Sequence, residues 1–181
     1  MNGNYTYLDE LKEGCSMSRF LIKQRVFSWT DTYNVYDGMG NPVLYIKADL
    51  ISLGHRIRVF DYATGEEIGL IQEKIFRIFK EFEISIKGYS QGIIKQRFSF
   101  FRPVYDIDYR NWNLEGDFMQ WNYDIYEEDR LVVRIGKELF RWGDTYTIDV
   151  YYPEDDLAAI MIAIAMDAAK CSSDEQKNTF W

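Results

Sequence analysis

Along much of this chain apolar and polar residues alternate one by one. Phe82, Ile84 and Ile86 are apolar while Glu83, Ser85 and Lys87 are polar. Tyr105, Ile107 and Tyr109 alternate with Asp106, Asp108 and Arg110, and Tyr146, Ile148 and Val150 with Thr145, Thr147 and Asp149. Successive side chains of a strand point to opposite faces, so a period of two predicts strands with one buried and one wet face. Turn residues punctuate these runs at Gly38 to Pro42, Thr64-Gly65, Lys87-Gly88 and Glu127 to Asp129.

The strands come in related pairs. Ile22-Lys23-Gln24-Arg25 returns as Ile94-Lys95-Gln96-Arg97, and Phe27-Ser28-Trp29-Thr30-Asp31-Thr32-Tyr33 resembles Phe140-Arg141-Trp142-Gly143-Asp144-Thr145-Tyr146. The spacing of most copies is about 24 residues, within the range of repeat architectures. Six two-stranded copies predict about twelve strands in an antiparallel meander, and closure into a barrel removes the exposed edges.

The pattern changes after Pro153-Glu154-Asp155-Asp156, where a proline and carboxylates suit a helix start. Leu157 to Met166 is apolar all round. A helix with no polar face is surrounded by protein or lipid, and this run is about half the length a membrane span requires. The expectation is a helix enclosed by the barrel, its alanines keeping it slim. Residues 1–18 read as an N-terminal extension, 19–169 as one closed barrel domain (mainly β with one helix), and 170–181 as a polar tail.

Composition narrows the function. At 181 residues the chain suits a single domain. Its aromatic content of 17% favours pleated, half-buried surfaces. A net charge of −8 argues against a general nucleic-acid binder, which needs excess Lys and Arg to neutralise phosphates. Cys15 and Cys171 lie near opposite ends without a second Cys or a His close by, which predicts a reduced pair and no zinc site. The first residues hold no apolar segment of a signal peptide. A soluble cytoplasmic protein with no transmembrane span is expected, able to lie at the periphery of a membrane.

Several phrases together resemble a known family: Phe98-Ser99-Phe100-Phe101-Arg102-Pro103, Leu114-Glu115-Gly116-Asp117-Phe118, Trp142-Gly143-Asp144-Thr145-Tyr146, and the closing Pro153-Glu154-Asp155 before an apolar helix. With the run of hairpins, they make residues 19–169 look like the LURP-one-related family of the Tubby C-terminal-like superfamily, in its bacterial YxjI-like branch. The resemblance implies a twelve-stranded barrel around a central hydrophobic helix. Most of the family has no known function. Related folds, the Tubby domain and the phospholipid scramblases, act at membranes through phosphoinositide or phospholipid contacts, and none of their lipid-binding motifs matches this chain residue by residue.

Catalytic chemistry has little material. His55 is the single histidine, between Gly54 and Arg56 at a turn or strand start, and reads as a surface or loop residue with no Ser or Cys partner for a triad. No catalytic residue, metal ligand or cofactor is assigned. Asp106 and Asp108 share a strand face that a hard cation could use, but a wet barrel exterior explains them more simply. The cations carry the one mechanistic idea. Lys23 with Arg25, Arg56 with Arg58, and Lys95 with Arg97 each lie two apart on one strand face, where Arg offers a bidentate fork and Lys a point charge to a phosphate. Trp29, Trp112 and Trp121 suit either barrel rims or core packing. The expected function is a non-enzymatic binding or scaffold module that holds anionic phospholipid or phosphate on its exterior. The alternatives are a protein-interaction partner, or a small-molecule carrier or enzyme with a site at a barrel mouth.

Overall fold

The computed structural model describes residues 17–23, 32–51, 54–75, 77–97, 99, 104–140 and 143–178. Twelve strands form one sheet: β1 (Ser18–Lys23), β2 (Thr32–Asp37), β3 (Pro42–Ile51), β4 (Gly54–Asp61), β5 (Glu67–Glu73), β6 (Glu81–Ile86), β7 (Tyr89–Arg97), β8 (Val104–Asp108), β9 (Trp112–Asp117), β10 (Asn122–Glu127), β11 (Arg130–Phe140) and β12 (Gly143–Val150). A helix, α1 (Asp156–Asn178), follows one 3₁₀ turn at Pro153–Asp155. The first and last strands are laddered together, Ser18 opposite Val150 through to Lys23 opposite Thr145. The remaining order runs from β1 down to β8 on one side and from β12 down to β9 on the other.

The barrel is nearly closed rather than closed. Its two edges are β8 and β9, which are neighbours in sequence yet share no ladder. They meet at a two-residue turn in which the Trp112 N–H donates to the Tyr109 carbonyl at 2.8 Å. Arg110 and Asn111 adopt positive φ of 45° and 57° there, the backbone of a type I′ hairpin turn. The Tyr109 and Trp112 rings pack edge to face above it, with centroids 4.8 Å apart. Further along, Gly116 takes a φ of 113° that other residues rarely adopt, and the backbone of Asn122 and Tyr123 fills the space of a Cβ. β9 therefore lies close against β10 at this point, on the side away from β8.

One face of nearly every strand is apolar and buried, including Val35, Ile46, Val59, Ile71, Phe82, Ile94, Ile107, Ile125, Ile135 and Ile148. Ala158 to Met166, Ala168 and Ala169 of α1 are buried on every side of the helix. α1 contacts β5, β6, β7 and β12. The Tyr105 hydroxyl donates to the Ala169 carbonyl at 3.2 Å, and Met161 packs where a Cβ on Gly69 would stand. At the helix start Asp156 accepts a hydrogen bond from the Ser18 hydroxyl at 2.9 Å, and buried Asp155 pairs with Arg110. Burial pushes both of these carboxyls up from their ordinary range.

Two sequence expectations change. β12 was expected to have a wet face, but Thr145, Thr147 and Asp149 are buried as well. Two of these polar groups are matched where they sit: Thr147 donates to the Gly136 carbonyl at 3.2 Å, and Asp149 receives the Arg19 guanidinium at 2.6 and 2.8 Å. The polar segment from Cys171 continues α1 to Asn178 instead of leaving it, in keeping with the straight-chain helix formers Glu175, Gln176 and Lys177.

Candidate functional site

Alternating strand directions give the barrel two unlike ends. At one end the strands join through tight turns near Gly40, Gly65, Gly88, Arg110-Asn111 and Glu128-Asp129. That end is acidic, carrying Asp37, Asp61, Glu66, Glu67, Glu127, Glu128, Asp129 and Glu154. At the other end β5 and β6 are joined by residues 74–80, whose sequence is Lys-Ile-Phe-Arg-Ile-Phe-Lys. The segment lacks a carboxylate and breaks the period of two.

This loop shows water what a loop usually hides. Ile78 is 95% exposed, Phe79 41% and Ile75 38% (Phe76 lies outside the described residues). Its base is fixed by backbone bonds, the Lys74 N–H to the Glu81 carbonyl and the Gln96 N–H to the Lys80 carbonyl, each 2.8 Å. Lys74 pairs with Glu83, Lys80 with Glu73, and the Arg77 Nε lies 3.7 Å from Glu81. A cavity of about 210 Å³ lies against the loop, lined by Glu73, Gln96 and the loop's own side chains.

Beneath the loop, Glu73 accepts from both His55 and Lys80. Burial would raise its pKa, but the two cationic or donor partners overcome that and hold the carboxyl at about 2. His55 lies at the start of β4, one of the two positions its sequence context allowed, but its side chain is packed against Glu73 at 15% exposure and not on the open surface.

The sequence-predicted cations fall mostly at this same end. Lys23 closes β1, its side chain outside the description, and Arg25 lies outside the described residues. Arg56 stands near the start of β4, half-buried, its Nε without a hydrogen-bond partner among the described residues. Arg58 is deeper along β4, its Nε 3.7 Å from Asp49. Lys95 and Arg97 end β7 beside the loop; Lys95 is exposed in register with Glu81 and Asp106, and the Arg97 Nε lies 2.6 Å from Asp106. These residues share a rim but no single pocket, since β4 and β7 are three ladder steps, about 14 Å, apart.

Sequence reading missed residues 74–80, although two Ile-Phe pairs spaced by Arg between lysines were a visible signal. Trp112 and Trp121 are core residues, and Trp29 lies outside the described residues. Among the described residues no three His, Cys, Asp or Glu side chains gather as a metal site, and no helix is long and apolar enough to cross a membrane.

Comparison with known proteins agrees with the architecture. A crystal structure of a protein from Arabidopsis thaliana superposes with a TM-score of 0.58 at 14% identity, covering 85% of this chain and 93% of its own, a likeness of fold. The uncharacterized protein YxjI of Bacillus subtilis (strain 168) is 26% identical over 164 residues, covering 91% of this chain and 100% of YxjI. The LURP-one-related family model matches residues 18–167, and with that match the chain belongs to the LURP-one-related family.

Proposed function

We propose that this protein is a non-enzymatic module that docks on an anionic phospholipid surface through the rim formed by residues 74–80. The observation that carries the reading is Ile78, 95% exposed between two further exposed apolar side chains and flanked by Lys74, Arg77 and Lys80. Apolar side chains gain by entering the acyl boundary, while cations at the same depth meet phosphate head groups. The loop's partly exposed ion pairs are individually weak, so a phosphate competes for Arg77 and Lys74 at little cost. Arg56, Lys95 and Arg97, with Lys23 at the end of β1, form a second tier of cations at the strand ends. The acidic turns at the opposite end orient the molecule by repulsion, so a net charge of −8 is compatible with an anionic target.

We infer further that α1 fills the barrel formed by the hairpins. Burial on all its sides, the Tyr105 bond to Ala169 and the fit of Met161 against Gly69 support this placement. A filled interior leaves no lipocalin-like ligand chamber, which favours a binding surface over a small-molecule carrier.

The test is co-sedimentation with vesicles of neutral phosphatidylcholine, and with added phosphatidylserine or phosphoinositide, at low and physiological salt. Head-group-dependent binding should survive physiological salt, fall at least tenfold in Ile78→Asp, and weaken in Lys95→Glu/Arg97→Glu. Absence of binding to every vesicle, or full binding by Ile78→Asp, overturns the reading and leaves a protein-interaction partner in its place.

A further inference from the structure

A groove of about 590 Å³ lies along the one break in the described sheet, between the unpaired edges β8 and β9. Its floor is apolar, made by Ile107 of β8 and by Trp112 and Leu114 of β9. Its outward margins carry Asp106 and Asp108 on one side and Asp117 on the other; Asp106 is paired with Arg97, which also lines the groove, so the open carboxylates are Asp108 and Asp117. Trp112 is 1% exposed, and its indole N–H has no acceptor among the described residues. β9 is laddered to β10 on one side only.

These features are the parts of a strand-addition site. An open edge supplies main-chain pairing, while side chains on alternate positions of the incoming strand are read by the two faces of the sheet. We propose that the seam between β8 and β9 receives an extended segment of a partner protein in which apolar and basic residues alternate, laddered onto β9. The apolar residues of that segment cover Ile107, Trp112 and Leu114. Its Lys or Arg residues point outward between Asp108 and Asp117. A backbone carbonyl of the segment accepts from the Trp112 indole, removing the cost of a buried unpaired donor. The carboxylates of Asp108 and Asp117 disfavour an acidic segment, and Arg97 with Asp106 marks where the groove meets the cationic rim. An unguarded edge invites unselective pairing, and like charge beside it restricts the choice of partner.

The experiment uses the full chain and a capped hexapeptide of alternating valine and lysine. Titration followed by amide exchange should show saturable binding with protection of Asn113 to Asp117. A peptide N-methylated at alternate residues cannot ladder and should bind at least tenfold more weakly, as should a valine–glutamate peptide. Asp108→Lys should weaken binding of the lysine peptide severalfold; the position faces outward, and circular dichroism checks the fold. Equal binding of the N-methylated or glutamate peptide, or binding without protection of β9, overturns the proposal, and so does no binding at all.

Discussion

Glu73 and Asp167 are displaced in opposite directions, and each leaves a mark on a different limb of the stability profile. Glu73 ionises at about 2 in the fold against 4.5 as an unperturbed group. Between those values the unfolded chain binds a proton that the fold refuses, so stability falls as pH drops through that window. Asp167 is raised by burial, against the opposing charge of Lys170, to about 7 from 3.8. There the folded state keeps a proton that the unfolded chain has released, so stability falls as pH rises from about 4 to 7. Chemical denaturation across pH should show Glu73→Gln flattening the acid limb and Asp167→Asn flattening the neutral limb. Two glycines make a second residue-scale contrast. A Cβ on buried Gly69 would meet the mobile end of Met161 at 2.6 Å, whereas one on Gly92 would run into the Asp108 backbone carbonyl. Gly92→Ala should therefore destabilise by about 1–3 kcal/mol and Gly69→Ala by less, although Gly69 is the more buried. Equal shifts in urea midpoint would contradict this.

At the scale of elements, α1 and the loop before β6 are apolar for opposed reasons. Ile162 is 1% exposed in α1, so Ile162→Ala should cost about 2–5 kcal/mol and Ile162→Asp should prevent folding. Ile78→Asp should leave the melting temperature nearly unchanged, because an exposed side chain gives up no packing. Thermal melts of the three variants check this ordering. Strands and helix were legible because a period of two and an unbroken apolar run are local signals, and β6, β8 and the start of α1 lie where those signals put them. Burial of both faces of β12 was not legible, since it depends on Arg19 and Gly136 arriving from β1 and β11. The rim loop was missed for a different reason. Ile and Phe read as core wherever they occur, and only topology shows that Ile78 stands in water at the end of the barrel. The shared end of Lys23, Arg56 and Lys95 likewise needs strand direction, which pairing determines and spacing does not.

At the scale of the molecule, the break in the sheet and the break in the chain fall in different places. The ends of the domain are stitched by the β1–β12 ladder, while the mid-chain strands β8 and β9 are held by a turn and no ladder. Covalent continuity and hydrogen-bond continuity have exchanged roles, so the molecule has a natural splice point in the middle of its sequence. Co-expressed fragments 1–109 and 110–181 should associate without a covalent link and co-elute as one species of full-length size. The second fragment retains both Arg110 and its partner Asp155. A chain starting at residue 24 keeps that turn but loses the strand that joins the two halves, and it should fail to fold. Separate elution of the fragments, or a native melt from the shortened chain, would contradict this. Measured by what each piece holds together, the first strand is the keystone of this barrel and the central turn is its hinge pin.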